Sequence, residues 1–117
     1  MAYNKDNIFA KIIRGEIESD IIYQDEYVIA FNDKYPVAPV HILIIPKGEY
    51  ESFDDFAGNA SDIMIINFFK SIKKIAKLAG VENYGYRLIS NHKENAGQSV
   101  FHFHFHLIAG KALTKLI

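Results

Sequence analysis

The chain has 117 residues, half of them hydrophobic, and a formal net charge of −1 at pH 7. This size predicts one compact domain over residues 1–117, and the lack of cysteine excludes disulfides and cysteine-ligated zinc. The near-neutral charge gives no basic field for nucleic acid, and no apolar run reaches the ~18 residues of a membrane span.

The N-terminal segment lacks the basic and apolar stretches of a signal peptide, so we expect a cytoplasmic protein. Asp6 is predicted to cap a short helix that ends at Gly15. Two strands are predicted next, at residues 20–24 and 27–32, joined by a tight hairpin turn. A loop with two prolines then leads to a buried strand at residues 41–46.

A long amphipathic helix is predicted from Asn59 or Ser61 to about Leu78, where Gly80 ends it. Residues 85–90 and 100–109 supply two further strands, with a polar loop between them. The order of elements predicts an α+β domain, a five-stranded antiparallel sheet with two main helices on one face.

The long helix carries more apolar residues than the ~100° stripe that one core requires. A second buried surface is therefore plausible, and we expect a homodimer. The residues that support this expectation are Ile63, Met64, Ile66, Phe68, Phe69, Ile72 and Ile75.

The last predicted strand carries three of the five histidines, which alternate with apolar residues: His102, His104 and His106. Alternation places them on one face of the strand. A row of imidazoles is poor core material, because each ring brings a donor and an acceptor that must be satisfied. The row therefore predicts a functional site.

One interpretation of the row is a metal site. Successive histidines on a strand face lie ~6.6 Å apart, so one ion could take two of them but hardly all three. His41 could join from a neighbouring strand. No further cluster has obvious ligand spacing, and we expect no metal.

The other interpretation is nucleophilic catalysis by imidazole, which is largely neutral at pH 7 and has one nitrogen free to attack. The loop before the row strengthens this interpretation. Residues 95–99, Asn-Ala-Gly-Gln-Ser, offer backbone N–H groups, an amide and a hydroxyl beside the imidazoles. Such groups suit a phosphate and the charge that develops on its oxygens.

These residues carry a family resemblance. Residues 97–106, Gly-Gln-Ser followed by the alternating histidines, resemble the histidine triad (HIT) signature in its Hint-like branch. The segments 7–17, 30–33, 38–47 and 85–91 resemble other parts of that family in the same order. Relatives that bind zinc through Cys-x-x-Cys differ here, because Asn7 and Ala10 occupy those places.

The resemblance implies a hydrolase that needs no cofactor and acts on a nucleotide with an AMP or GMP moiety. His104 would attack the α-phosphorus and become nucleotidylated, while His106 contacts the phosphate. His102 and His41 would support the nucleophile, and Ser99 would lie near the leaving group. The remaining nucleotide-binding residues that it implies are Asp33, Asn91, Gly97, Gln98, Phe9 and Phe31, with Ile8 and Ile12 also walling the base.

The leading hypothesis is thus a purine nucleoside phosphoramidase or nucleotidyl hydrolase. The alternatives are a dinucleoside polyphosphate hydrolase of the Fhit type and a non-catalytic nucleotide-binding scaffold. Because the tail after the signature holds no aromatic residue, we also expect weak discrimination between aromatic and aliphatic amine leaving groups. Acidic leaving groups would be favoured if Lys111 or Lys115 reaches the site.

Overall fold

A computed structural model of the protein describes residues 2–116. Five antiparallel strands form one sheet in the order β1-β2-β3-β5-β4. The strands are β1 (Ile21–Gln24), β2 (Val28–Asn32), β3 (Val40–Pro46), β4 (Arg87–Ile89) and β5 (Phe105–Ala109). The helices are α1 (Ile8–Ile13), α2 (Phe53–Asn59) and α3 (Asp62–Leu78), and a 3-10 turn spans Glu94–Ala96. This confirms the predicted α+β class.

Strands β2 and β3 are buried on both faces of the sheet. Val28 and Ala30 of β2 belong to the cluster packed with α3, whereas Ile29 and Phe31 belong to the cluster packed with α1. Strands that are covered on both faces read as continuous apolar runs, as β2 and β3 do. The expectation that helices cover one face is therefore wrong, since α1 lies on the face opposite α3.

Helix α1 begins one residue later than the sequence indicated. The Asn7 side chain, not that of Asp6, accepts the Ala10 N–H and caps the helix. The prediction for α3 is confirmed, because Ser61 accepts the Met64 N–H at 3.1 Å and the helix ends at Leu78. Asn and Asp are about equally good caps, so the sequence could not decide which of these two adjacent residues caps the helix.

The predicted strand over residues 100–109 is only half formed. The ladder with β3 starts at Phe105, where Ile44 pairs with it, and residues 100–104 run irregularly along the sheet. The alternation of side chains nevertheless persists, because Phe103 enters the α3 core while His104 faces the other side. Two of the three triad histidines thus lie outside the regular ladder.

Candidate active site

A cavity of about 640 Å³ opens on the α1 face of the sheet. The cavity is lined by Leu43, His104 and His106, and α1 forms one apolar wall. Of the implied site residues, it brings together Phe9, Phe31, Asp33, Ser99, His104 and His106, together with Ile8 and Ile12. The implied residues that do not line it are His41, Asn91, Gly97, Gln98 and His102.

His104 is buried at the edge of this cavity, 5% exposed, with its ring against the edge of Phe9. Its Nδ1 lies 2.6 Å from the backbone carbonyl oxygen of His102. A carbonyl can only accept, so Nδ1 carries the proton and Nε2 keeps a lone pair. Burial lowers the pKa of His104 below its ordinary value, which favours this neutral form.

His102 is fully buried behind His104. Its Nε2 donates to the Pro46 carbonyl oxygen at 2.9 Å, and its Nδ1 lies 2.5 Å from the Tyr3 hydroxyl. Burial lowers the pKa of His102 to about 4. Both ring nitrogens are thus used by the protein, and none is left for a ligand.

His41 contacts His106 rather than the central ring. The two are diagonal neighbours on β3 and β5, and His41 Nε2 lies 2.9 Å from His106 Nδ1. The Val37 N–H donates to His41 Nδ1 at 3.1 Å, so the proton of His41 is on Nε2. Asp33 Oδ2 lies 3.3 Å from the same Nε2.

These contacts fix the orientation of His106. Because Nδ1 accepts from His41, the proton of neutral His106 is on Nε2, where it is a donor. Burial lowers the pKa of His106 to about 4, with smaller contributions from the neighbouring His104 and His41. His104 therefore presents a lone pair to the cavity, and His106 presents an N–H.

Asp33, His41 and His106 also come closest to a metal-binding arrangement within residues 2–116. To bind a cation through Nε2, His41 would need its proton on Nδ1. That nitrogen already faces the Val37 N–H, and two donors cannot pair. The backbone thus selects a histidine that donates from Nε2, and the group fits a hydrogen-bond relay better than a metal.

The loop before the triad is held by Gln98, which is 6% exposed. Its Oε1 accepts from the Ser52 hydroxyl and the Lys93 N–H, and its Nε2 donates to the carbonyls of Glu51 and Val100. All four bonding positions of the amide are occupied, so the side chain shapes the loop. The same loop uses Gly97 at a φ of 86°, a conformation that favours glycine.

The surroundings of His92 resemble a Ser-His-Asp catalytic triad. Its Nδ1 lies 2.8 Å from Ser52 Oγ, and its Nε2 lies 3.4 Å from Asp54 Oδ2. The Ser52 proton, however, is donated to Gln98 Oε1 at 2.6 Å, so His92 must donate to the hydroxyl rather than accept from it. A histidine of that polarity cannot activate Ser52, and the group is a structural brace.

A second cavity of about 460 Å³ adjoins the first and shares Ile8, Ser99 and Val100 with it. Its other lining residues include Glu51 and Asn4. Sequence reasoning missed this cavity, as it missed Tyr3, because both depend on the segment before α1 folding against the triad. Tyr3 is 99 positions from its partner, and no local pattern marks such a contact.

Comparisons with known proteins agree with this fold. Residues 14–113 match the HIT domain family. The chain is 52% identical to an uncharacterized HIT-like protein of Rickettsia prowazekii, over 98% of this chain and 96% of that one. It is 42% identical to the purine nucleoside phosphoramidase of Escherichia coli, over 97% and 94%.

Solved structures give the same result. A histidine triad protein from Clostridium difficile superposes with a TM-score of 0.89 at 43% identity, covering 99% of this chain and all of that one. A HIT family hydrolase from Legionella pneumophila superposes with a TM-score of 0.87 at 36% identity, covering 93% and 96%. The chain therefore belongs to the histidine triad family.

Proposed function

We propose that this chain is a hydrolase of purine nucleoside phosphoramidates and related nucleotidyl substrates with an AMP or GMP moiety. The bond from His104 Nδ1 to the His102 carbonyl, 2.6 Å long, is the observation that carries this proposal. It leaves the Nε2 lone pair free at the cavity. The 42% identity to a named purine nucleoside phosphoramidase supports the same substrate class.

In the first step, His104 Nε2 attacks the α-phosphorus while the bond from phosphorus to the amine breaks. The amine leaves with the electron pair of that bond and takes a proton from water at the open Ser99 side. The nucleotidylated ring is a cation, and its Nδ1–H points at the His102 carbonyl oxygen. A fixed dipole aimed at developing charge lowers the barrier without reorganisation.

In the second step, water attacks phosphorus, returns a proton to the solvent and releases neutral His104. Charge on the phosphate oxygens is stabilised in both steps by the Nε2–H of His106. His41 keeps that proton in place by donating to His106 Nδ1. These residues supply nucleophile and donor without a cofactor.

The nucleoside would lie along the first cavity. Phe9, Phe31 and Leu43 offer apolar walls for a purine ring. Asp33 is 19% exposed at its side chain and presents a carboxylate that can accept from both ribose hydroxyls. We place the leaving group in the second cavity, because Ser99 lies where the two cavities meet.

The test is a comparison of kcat/KM for an adenosine phosphoramidate, a guanosine phosphoramidate and a dinucleoside polyphosphate. We expect the two phosphoramidates to be the better substrates. A preference for the dinucleotide would favour the Fhit-type alternative. Nucleotide binding with no turnover of any of them would favour the scaffold alternative and contradict the proposal.

We further propose that residues 1–117 form a single HIT domain that pairs into a homodimer. Three apolar side chains of α3 are 45–60% exposed, although another face of the same helix is already buried in the core: Ile63, Ile66 and Phe69. Leu88 on the adjacent edge strand β4 is 40% exposed. A second copy would cover both surfaces and extend the sheet. A monomer mass in light scattering at micromolar concentration would contradict this.

No helix among residues 2–116 is sufficiently long and apolar to span a bilayer. The expectation of a cytoplasmic protein stays a prediction.

A further inference from the structure

We propose that Tyr3 is a positioning residue for this reaction, whose hydroxyl fixes the His102 ring and thereby the carbonyl that holds His104. The inference rests on the proposed function, since it concerns the same nucleophile. Tyr3 lies in the segment before α1, outside every motif that the sequence revealed.

The contact is specific in geometry. The Tyr3 oxygen lies 2.5 Å from His102 Nδ1, and the two rings meet edge to face at 71°. On its other side, the His102 ring is held by the Pro46 carbonyl, 2.9 Å from Nε2. The imidazole is therefore tied at both nitrogens in a site with no solvent exposure.

The polarity of these bonds follows from the chemistry of the groups. The Pro46 carbonyl can only accept, so the proton of neutral His102 is on Nε2. Nδ1 then accepts, and the Tyr3 hydroxyl donates. Burial raises the pKa of Tyr3 and lowers that of His102, so both keep these forms at neutral pH.

The His102 ring matters because the peptide group that follows it lies outside the regular sheet ladder. The sheet ladder begins only at Phe105, so it does not tie the peptide group between His102 and Phe103. The Phe103 N–H holds one end of this peptide group by donating to the Tyr50 carbonyl at 2.7 Å, and the two bonds of the His102 ring anchor the residue at its other end. That same peptide carries the carbonyl oxygen that accepts from His104 Nδ1.

Removal of the Tyr3 hydroxyl leaves a buried acceptor without its donor. An unsatisfied buried group costs free energy, which the chain can reduce only by moving the ring or admitting water. Either response shifts the His102 carbonyl and misdirects His104. The nucleotide cavity is lined by other residues, so binding of the nucleotide is expected to stay unchanged.

The test compares Tyr3→Phe with Tyr23→Phe. The control loses a similar hydrogen bond, from its hydroxyl to Asp25 Oδ2 at 2.6 Å, in the β1–β2 hairpin. We measure kcat and KM for an adenosine phosphoramidate, together with the ¹⁵N shifts of the His102 ring. Tyr3→Phe is expected to lower kcat about tenfold with KM within about twofold of wild type.

The ¹⁵N resonance of His102 Nδ1 is expected to move in Tyr3→Phe toward that of an unbonded lone pair, and to stay in place in Tyr23→Phe. A purely stabilising contact would not produce this combined result. If kcat of the two variants agrees within about twofold, or if the resonance does not move, the positioning role is wrong. Failure of the proposed function is distinct, because wild type would then turn over no phosphoramidate.

Discussion

The site contains two pairs of histidines that are held in different ways. The inner pair, His102 and His104, is tied to backbone carbonyls and to the Tyr3 hydroxyl. The outer pair, His41 and His106, is tied ring to ring beside the Asp33 carboxylate. The inner pair presents a free lone pair to the cavity, and the outer pair presents an N–H.

The difference shows how one residue type can take two roles within a few ångströms. A carbonyl beside Nδ1 forces the proton onto that nitrogen and exposes a nucleophilic Nε2. A donating histidine beside Nδ1 reverses the tautomer and exposes a donor at Nε2. The partner of the hidden nitrogen decides the chemistry of the exposed one.

The largest expected effect is on the inner pair. His104→Ala removes the nucleophile, so turnover is expected to fall by about three orders of magnitude or more. Binding of AMP is expected to remain measurable by calorimetry, because the cavity walls are intact. More than about a tenth of the wild-type rate would contradict the assignment.

The outer pair is expected to matter less. His106→Ala removes a donor to the phosphate, and loss of one such donor costs about 100- to 1,000-fold in kcat. The loss in His106→Ala would equal that in His104→Ala only if the two rings act as a unit. The double variant measures this, because its loss would then be no larger than that of either single variant. A loss below about threefold would contradict a donor role for His106.

The pH profile of the reaction tests whether the nucleophile is held in its neutral form. Burial lowers the pKa of His104, so its lone pair persists below pH 6.5 and is lost only as the pH falls through the lowered value. The acid limb of kcat/KM is therefore expected below pH 6.5. An acid limb centred above pH 6.5 would mean that the nucleophile is stabilised as a cation.

The smallest expected effect concerns the leaving group. Glu51 lines the cavity beside Ser99, whereas neither Lys111 nor Lys115 lines either of the two adjoining cavities. We therefore expect cationic amines to be favoured, the opposite of the expectation from the tail. Glu51→Gln is expected to lower the preference for an amine with a second ammonium group about two- to fivefold.

The matched control for that change is Glu49→Gln, since Glu49 pairs with Lys5 at 3.9 Å and lines neither cavity. The measurement is the ratio of kcat/KM for the cationic and a neutral alkylamine phosphoramidate. A preference of the wild type for an acidic leaving group would contradict this prediction and support the expectation that Lys111 or Lys115 reaches the site.

Much of this arrangement could be predicted from the sequence. The period of two placed His104 and His106 on one face, and the family resemblance supplied Asp33 from the loop that follows β2. The sequence could not reveal hydrogen-bond polarity, because the Pro46 and His102 carbonyls carry no residue signature. Tautomers depend on such backbone groups, and these are placed only by the folded chain.

Local patterns also leave out what the folded chain supplies. Alternation alone predicted a strand from residue 100, but a strand requires a partner, and β3 pairs only from Phe105 onward. Four hydrogen bonds to the surrounding chain occupy the side-chain amide of Gln98, so its expected contact with nucleotide stays a prediction. These bonds hold the loop before the triad in its conformation.

The central claim is that His104 Nε2 forms a bond to phosphorus, and one measurement tests it directly. The enzyme is mixed with an adenosine phosphoramidate, quenched in base within the first turnover, digested and examined by mass spectrometry. The account predicts an AMP adduct on the peptide that contains His104, localised to that ring and lost in His104→Ala. Complete turnover without an adduct, or an adduct on another residue, would contradict it.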